Sequence, residues 1–187
     1  MVINLVILGG SLRTESLNRR LLHHLAKGLE AKGHEVVAFE GEALRLPLYE
    51  DGLLVPEAAK AIQAALLRAQ GLVIVSPEYN AGIPGHLKNA VDWLSTLSPS
   101  PWAELPVLLC SASPGAFGGA RGMYPWRATL ANMGALAFPA SINVPLADQN
   151  LDEAGAPRDP RTLATLSKTL EAFLALVERD EYACFFG

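Results

Sequence analysis

The chain is 187 residues long, half of them hydrophobic and 18% charged, with a mean hydropathy of +0.23. Those totals exclude a disordered chain and suit a single domain over residues 1–187 built on one sizeable core. A net charge of -4 and an isoelectric point near 5.6 argue against a nucleic-acid partner, and no apolar run reaches the roughly eighteen residues of a membrane span.

Residues 2–8 are aliphatic at nearly every position, the pattern of a strand covered on both faces rather than of a signal peptide. From Ser16 the period changes, and Leu17, Leu21, Leu22, Leu25 and Leu29 line one side of a helix that ends at Gly33. A second strand spans 35–39. After an irregular stretch over 46–52, a helix runs over about 56–70 with Pro56 in its first turn. A third strand covers 72–76, a helix about 84–97, and a fourth strand 106–110. A further helix ends near Gly134, and Pro125 within it is expected to kink or restart it. A short strand over 135–139 follows, and the stretch 160–181 is helical, with Leu163, Leu166, Leu170, Leu174 and Val177 at matching spacing.

Strand and helix alternate throughout, with no repeat or linker. The fold class expected is α/β: a flavodoxin-like, doubly wound, five-stranded parallel sheet of order 2-1-3-4-5 with helices on both faces. Cys110 and Cys184 are too few for a disulfide framework or a four-thiolate metal site, and point to a reducing, cytoplasmic setting. His23 and His24 read as surface or boundary residues on the first helix, without the partners a metal needs.

The 16 glycines and 13 prolines concentrate where such sheets bind ligands, beyond the carboxyl ends of the strands at the switch point between strands 1 and 3. The loop after strand 1 carries Gly9, Gly10, Ser11, Arg13, Ser16 and Asn18. Short donors at a helix N-terminus favour an anion, and a guanidinium suits a phosphate dianion. The plainer alternatives are that Ser16 only caps the helix and Arg13 is a solvated charge. This loop lacks G-x-G-x-x-G, the P-loop pattern and any cysteine, so a Rossmann dinucleotide site, a P-loop NTPase and a thiolate phosphatase are excluded. The loop after strand 3 places two prolines and two glycines around Glu78, Tyr79 and Asn80, with Pro77 where a phospho-receiver would have aspartate. The loop after strand 4, with Ser111, Ser113, Gly115, Gly118 and Gly119, has side chains small enough for a flat ring to lie on its backbone.

These loops carry a resemblance. Gly10-Ser11-Leu12-Arg13 with Ser16 and Asn18, Pro77-Glu78-Tyr79-Asn80 with Pro84-Gly85, Leu87-Lys88-Asn89-Ala90 and Asp92-Trp93, and Gly118-Gly119-Ala120-Arg121 resemble the NADPH-dependent FMN reductase family of quinone, chromate and azo-dye reductases. The resemblance covers about 2–135. It implies FMN as cofactor and NADPH or NADH as electron donor. Ser11, Arg13, Ser16 and Asn18, with Leu17 beside them, would hold the phosphate. Pro77, Glu78, Tyr79 and Asn80 would line the isoalloxazine, and Ser111, Ser113, Gly115 and Gly118 would meet its pyrimidine edge.

Flavin chemistry needs no protein nucleophile, so no catalytic acid or base is assigned. Backbone N–H groups of the third loop would stabilise negative charge on the ring, and the Glu78 carboxylate is expected to turn away from it. The reaction expected is ping-pong, passing electrons to quinones, similar electrophiles or free flavin. A non-enzymatic electron carrier of flavodoxin type is the alternative, and a redox-sensing interaction protein a weaker one. The apolar arc of the helix over 84–97 is broad, so either a subunit interface covers it or Trp93 lies over a neighbour in the same chain. The resemblance favours a homodimer or homotetramer whose partner closes the site.

Overall fold

Alternation of side chains along each strand decides which helices it can bury. Ahead of and within β1 (Asn4–Gly9), Ile3, Leu5 and Ile7 point to one face of the sheet, while Val6 and Leu8 point to the other. Both sets are buried, which is why the segment reads as a continuous aliphatic run. The computed structural model describes residues 1–179. Its strands β1, β2 (Glu35–Phe39), β3 (Gly71–Val75), β4 (Pro106–Ala112) and β5 (Leu136–Val144) form one all-parallel sheet in the order 2-1-3-4-5. Helices α1 (Leu17–Ala31) and α6 (Pro160–Val177) pack on the first face, and α2 (Glu57–Leu66), α3 (Gly85–Ser95) and α4 (Met123–Asn132) on the second. The chain reversal between β1 and β3 leaves a crevice at their carboxyl ends, because successive crossovers leave in opposite directions there.

Three local expectations change. The last strand does not stop at Pro139 but continues to Val144, followed by a four-residue helix, α5 (Ala147–Asn150). Between Val107↔Ala137 and Leu109↔Ser141 the register shifts, so that β5 carries two extra residues opposite β4. Pro139 falls in that bulge on an edge strand, where its missing N–H costs no ladder bond. The Arg127 guanidinium donates to the Phe138 and Pro139 carbonyls at 2.7 and 2.9 Å, satisfying the groups that the bulge exposes. Pro125 neither kinks nor restarts α4. It lies in the first turn, where backbone N–H groups have no intrahelical acceptor in any case. Pro56, in turn, is the N-cap of α2 rather than its first residue.

Trp93 lies over its own chain. Its Nε1–H donates to the Pro47 carbonyl at 2.8 Å, and its ring meets Tyr49 edge-on with centroids 5.1 Å apart. Asn89, one turn earlier, accepts the Tyr49 N–H at 2.7 Å and donates to Pro47 at 2.9 Å. The segment before α2 therefore covers the Trp93 side of α3, while Leu87, Ala90, Val91 and Leu94 pack into the core on that face of the sheet. Cys110 is fully buried, and burial pushes its thiol well above the usual range, so it is a core residue. Cys184 and the end of the helix expected to reach 181 lie outside the described residues. No helix among the described residues is long and apolar enough to cross a membrane.

Candidate functional site

Beyond β1 the chain must turn from the sheet into α1, and the turn it makes is open. Ser16 is the N-cap of α1, its hydroxyl accepting the Asn18 N–H at 3.2 Å. The Ser11 hydroxyl accepts the Arg13 N–H at 3.3 Å. Among the described residues, the N–H groups of Ser11, Leu12, Thr14 and Glu15 find no protein acceptor, and the Arg13 side chain, exposed at the rim, makes no ion pair. An N-terminal helix dipole, unpaired amides and a guanidinium thus converge on one place, and that chemistry fits a phosphate.

Asn18, at the same end, also joins two elements. Its amide donates to the Ala112 carbonyl at 2.8 Å and accepts the Ala112 N–H at 2.9 Å, tying the start of α1 to the end of β4. The first and third loops are therefore held in fixed relation by one buried side chain.

The second loop closes on itself. Tyr79 and Gly82 exchange both backbone hydrogen bonds, at 3.2 and 2.9 Å, around Asn80 and Ala81, which both have positive φ (52° and 60°). That is the tight primed turn, and it projects Tyr79 outward with its ring half exposed. Glu78 faces the other way. Its carboxylate accepts from Arg121 Nε at 3.0 Å and Nη2 at 2.9 Å, and from the Gly122 N–H at 3.3 Å. Its charge is thus drawn towards the start of α4, which clamps the second loop to the third.

The third loop spends several amides on its own turn. Ser113 N–H goes to the Val144 carbonyl, Gly115 N–H to the Ser113 hydroxyl, and Gly118 N–H to the Gly115 carbonyl. Ala116, Phe117 and Gly119 keep amides with no protein acceptor among the described residues. Gly119 has φ of 83°, and a Cβ there would fall on the Ser111 hydroxyl. Ser111 is fully buried beneath it, its hydroxyl without a partner among the described residues.

These loops enclose one cleft of about 250 Å³. Ser11, Arg13, Ser16, Leu17 and Asn18 line one end, Pro77, Glu78 and Tyr79 one wall, and Ser113 the other. Asn80, Ser111, Gly115 and Gly118 do not line it; they shape the turns beside it. Glu15, Ala112 and Pro114 do line it and were not singled out from the sequence. Their neighbours in both motifs were the available signal. His86 was also missed. From the first turn of α3 its Nε2 meets the Gly10 carbonyl at 3.0 Å, a contact between residues 76 apart that no local pattern announces. A larger groove of about 620 Å³ along the first half of β5 is lined, among the described residues, by apolar side chains and Arg127.

The donor set fits FMN: phosphate ligands at one end, a rigid wall, and small side chains opposite. Comparison with known proteins agrees. The model of the NADPH-dependent FMN reductase family matches residues 3–149. A quinone reductase of Escherichia coli strain K12 is 36% identical over 185 residues, covering 95% of this chain and 96% of its own. An NAD(P)H-dependent FMN reductase of Pseudomonas aeruginosa is 30% identical, covering 92% and 94%. Among solved structures, the flavoenzyme NAD(P)H:(acceptor) oxidoreductase FerB from Paracoccus denitrificans superposes with a TM-score of 0.82 at 26% identity, covering 95% of this chain and 98% of its own. With its sheet order, its cleft and these likenesses in agreement, the chain belongs to the NADPH-dependent FMN reductase family.

Proposed function

We propose that this flavin reductase passes electrons from NAD(P)H to quinones or similar small electrophiles, free flavin among them, at the cleft between the three loops. The observation that carries the reading is the meeting of Arg13, the unpaired amides of the first loop and the α1 N-terminus at one end of that cleft. The names of the Escherichia coli and Pseudomonas aeruginosa relatives support the choice of acceptors.

Bound FMN supplies the two-electron chemistry; the chain binds and orients it. Arg13 and the first-loop amides would neutralise the phosphate, with Ser11 and Ser16 shaping the loop around it. Pro77 and Tyr79 form a stiff wall for the ring. The Glu78 carboxylate, its charge offset by Arg121 and the Gly122 N–H, would oppose negative charge on a bound flavin less than a free carboxylate. The amides of Ala116, Phe117 and Gly119 are the donors available to that charge. No side chain is assigned as a proton donor.

One cleft serves donor and acceptor in turn. Steady-state oxidation of NADPH with a benzoquinone is expected to give parallel double-reciprocal plots; intersecting lines would contradict a shared cleft. Membership of a reductase family sets aside the non-enzymatic carrier, which would not turn over. We also place the enzyme in the cytoplasm and as a homodimer or homotetramer. The nearly bare side chains of Leu48 and Leu54, on the segment that covers α3, support a partner surface. Light scattering at micromolar concentration checks this, and a monomer's mass overturns it.

A further inference from the structure

Gly10 is held from every side. Its N–H donates to the Val75 carbonyl at 2.8 Å, its carbonyl meets His86 Nε2 at 3.0 Å, and a Cβ on it would run into Leu87 and lie 2.9 Å from Pro77 Cδ. A carbonyl only accepts, so His86 Nε2 carries the proton in this contact. Burial, together with the charge of Arg45, keeps the ring below its ordinary proton affinity despite that bond, which suits a neutral Nε2–H tautomer at the positive end of α3.

The consequence lies in the next peptide group. The Gly10–Ser11 bond is trans, so its C=O and N–H point in opposite directions. His86 belongs to α3, on one face of the sheet, and α1 lies on the other. A carbonyl drawn towards α3 therefore turns the Ser11 N–H towards the N-terminus of α1, where the phosphate site is. We infer that His86 is a positioning residue that, through the Gly10 carbonyl, aims the Ser11 amide at the FMN phosphate. This rests on the proposed phosphate site.

The test compares FMN with riboflavin, which lacks the phosphate, in fluorescence titrations of apoprotein. His86→Phe keeps a ring in place and removes the donor; His86→Gln keeps an amide donor at a similar reach. The Phe variant should weaken FMN binding about five- to tenfold, the worth of one hydrogen bond, and leave riboflavin within about twofold. The Gln variant should recover most of the loss. Unchanged FMN affinity in His86→Phe, or an equal loss for both flavins, overturns the inference, as does failure of Gln to rescue. Arg13→Ala separates the two levels. If it weakens FMN selectively while His86→Phe does not, the inference alone falls; if it leaves the preference for FMN over riboflavin intact, the phosphate site falls too. Should His86→Phe not fold, the ¹⁵N spectrum of labelled wild-type protein decides: an Nδ1–H tautomer contradicts the inference, and an Nε2–H tautomer supports it.

Discussion

Ala81 is a side-chain-bearing residue held at φ 60° in the turn that presents Tyr79. Left-handed backbone costs an L-residue about 1–2 kcal/mol relative to glycine, offset in part by the greater freedom glycine has when unfolded. Asn80 tolerates the same region more easily through its short polar side chain. Ala81→Gly is therefore expected to stabilise the protein by about 1 kcal/mol, a rise of roughly 2–4 °C in Tm for a chain of this size. An unchanged or lower Tm in thermal unfolding would mean that this turn is not strained. Glu78 lies beside that turn, and its sequence expectation was a matter of charge: a carboxylate facing a reduced flavin is unfavourable. The structure adds the partners of that carboxylate, Arg121 and the Gly122 N–H, at the wall of the cleft.

At the level of elements, Asn89 binds a segment that has no regular structure of its own. Three of its polar contacts reach Leu46, Pro47 and Tyr49 across about forty residues, and Trp93 adds a fourth. Asn89→Ala would leave the part-buried Tyr49 N–H without its acceptor and the Pro47 carbonyl with Trp93 alone, at a cost of about 1 kcal/mol. Hydrogen exchange is expected to show lost protection at the Tyr49 amide with the β1 and β3 amides unchanged; retained protection would show that the segment holds itself. The strand–helix alternation, the sheet order and the position of the cleft were all legible in the sequence, because they follow from side-chain period and glycine placement. What was not legible depends on distant partners. Pro139 read as a strand end because a bulge, and the Arg127 that satisfies it, cannot be read locally. The bond from Asn18 to Ala112 joins residues 94 apart, so no local pattern announces it. The helix α5 is only four residues long and begins after a left-handed Leu146, so no periodicity marks it.

Across the whole molecule, acid should be destabilising. Burial holds His24 and His86 below their ordinary value of 6.5, against the charge of Asp152 in one case and the Gly10 carbonyl in the other. The folded protein keeps them neutral while the unfolded chain takes up protons, so the stability they contribute is complete above about pH 6.5 and is lost as pH falls. Glu40 adds to the loss at lower pH. Burial raises its carboxyl, but hydrogen bonds and charge from Arg19 and His23 outweigh that and hold it below its ordinary 4.5. A Tm that declines as pH is lowered from 7 to 4 is expected; a rise between pH 6.5 and 5 would contradict these assignments.

The central claim is that three loops at the switch point of this sheet bind FMN and expose it to NADPH and then to an acceptor. The absorption spectrum of the purified protein, taken under anaerobic conditions, tests it most directly. The protein, as isolated or after addition of FMN, should show the bands of oxidised flavin, bleach with NADPH, and recover its colour when a benzoquinone is added. A colourless protein that retains no added FMN, or a bound flavin that NADPH leaves unbleached, would contradict it.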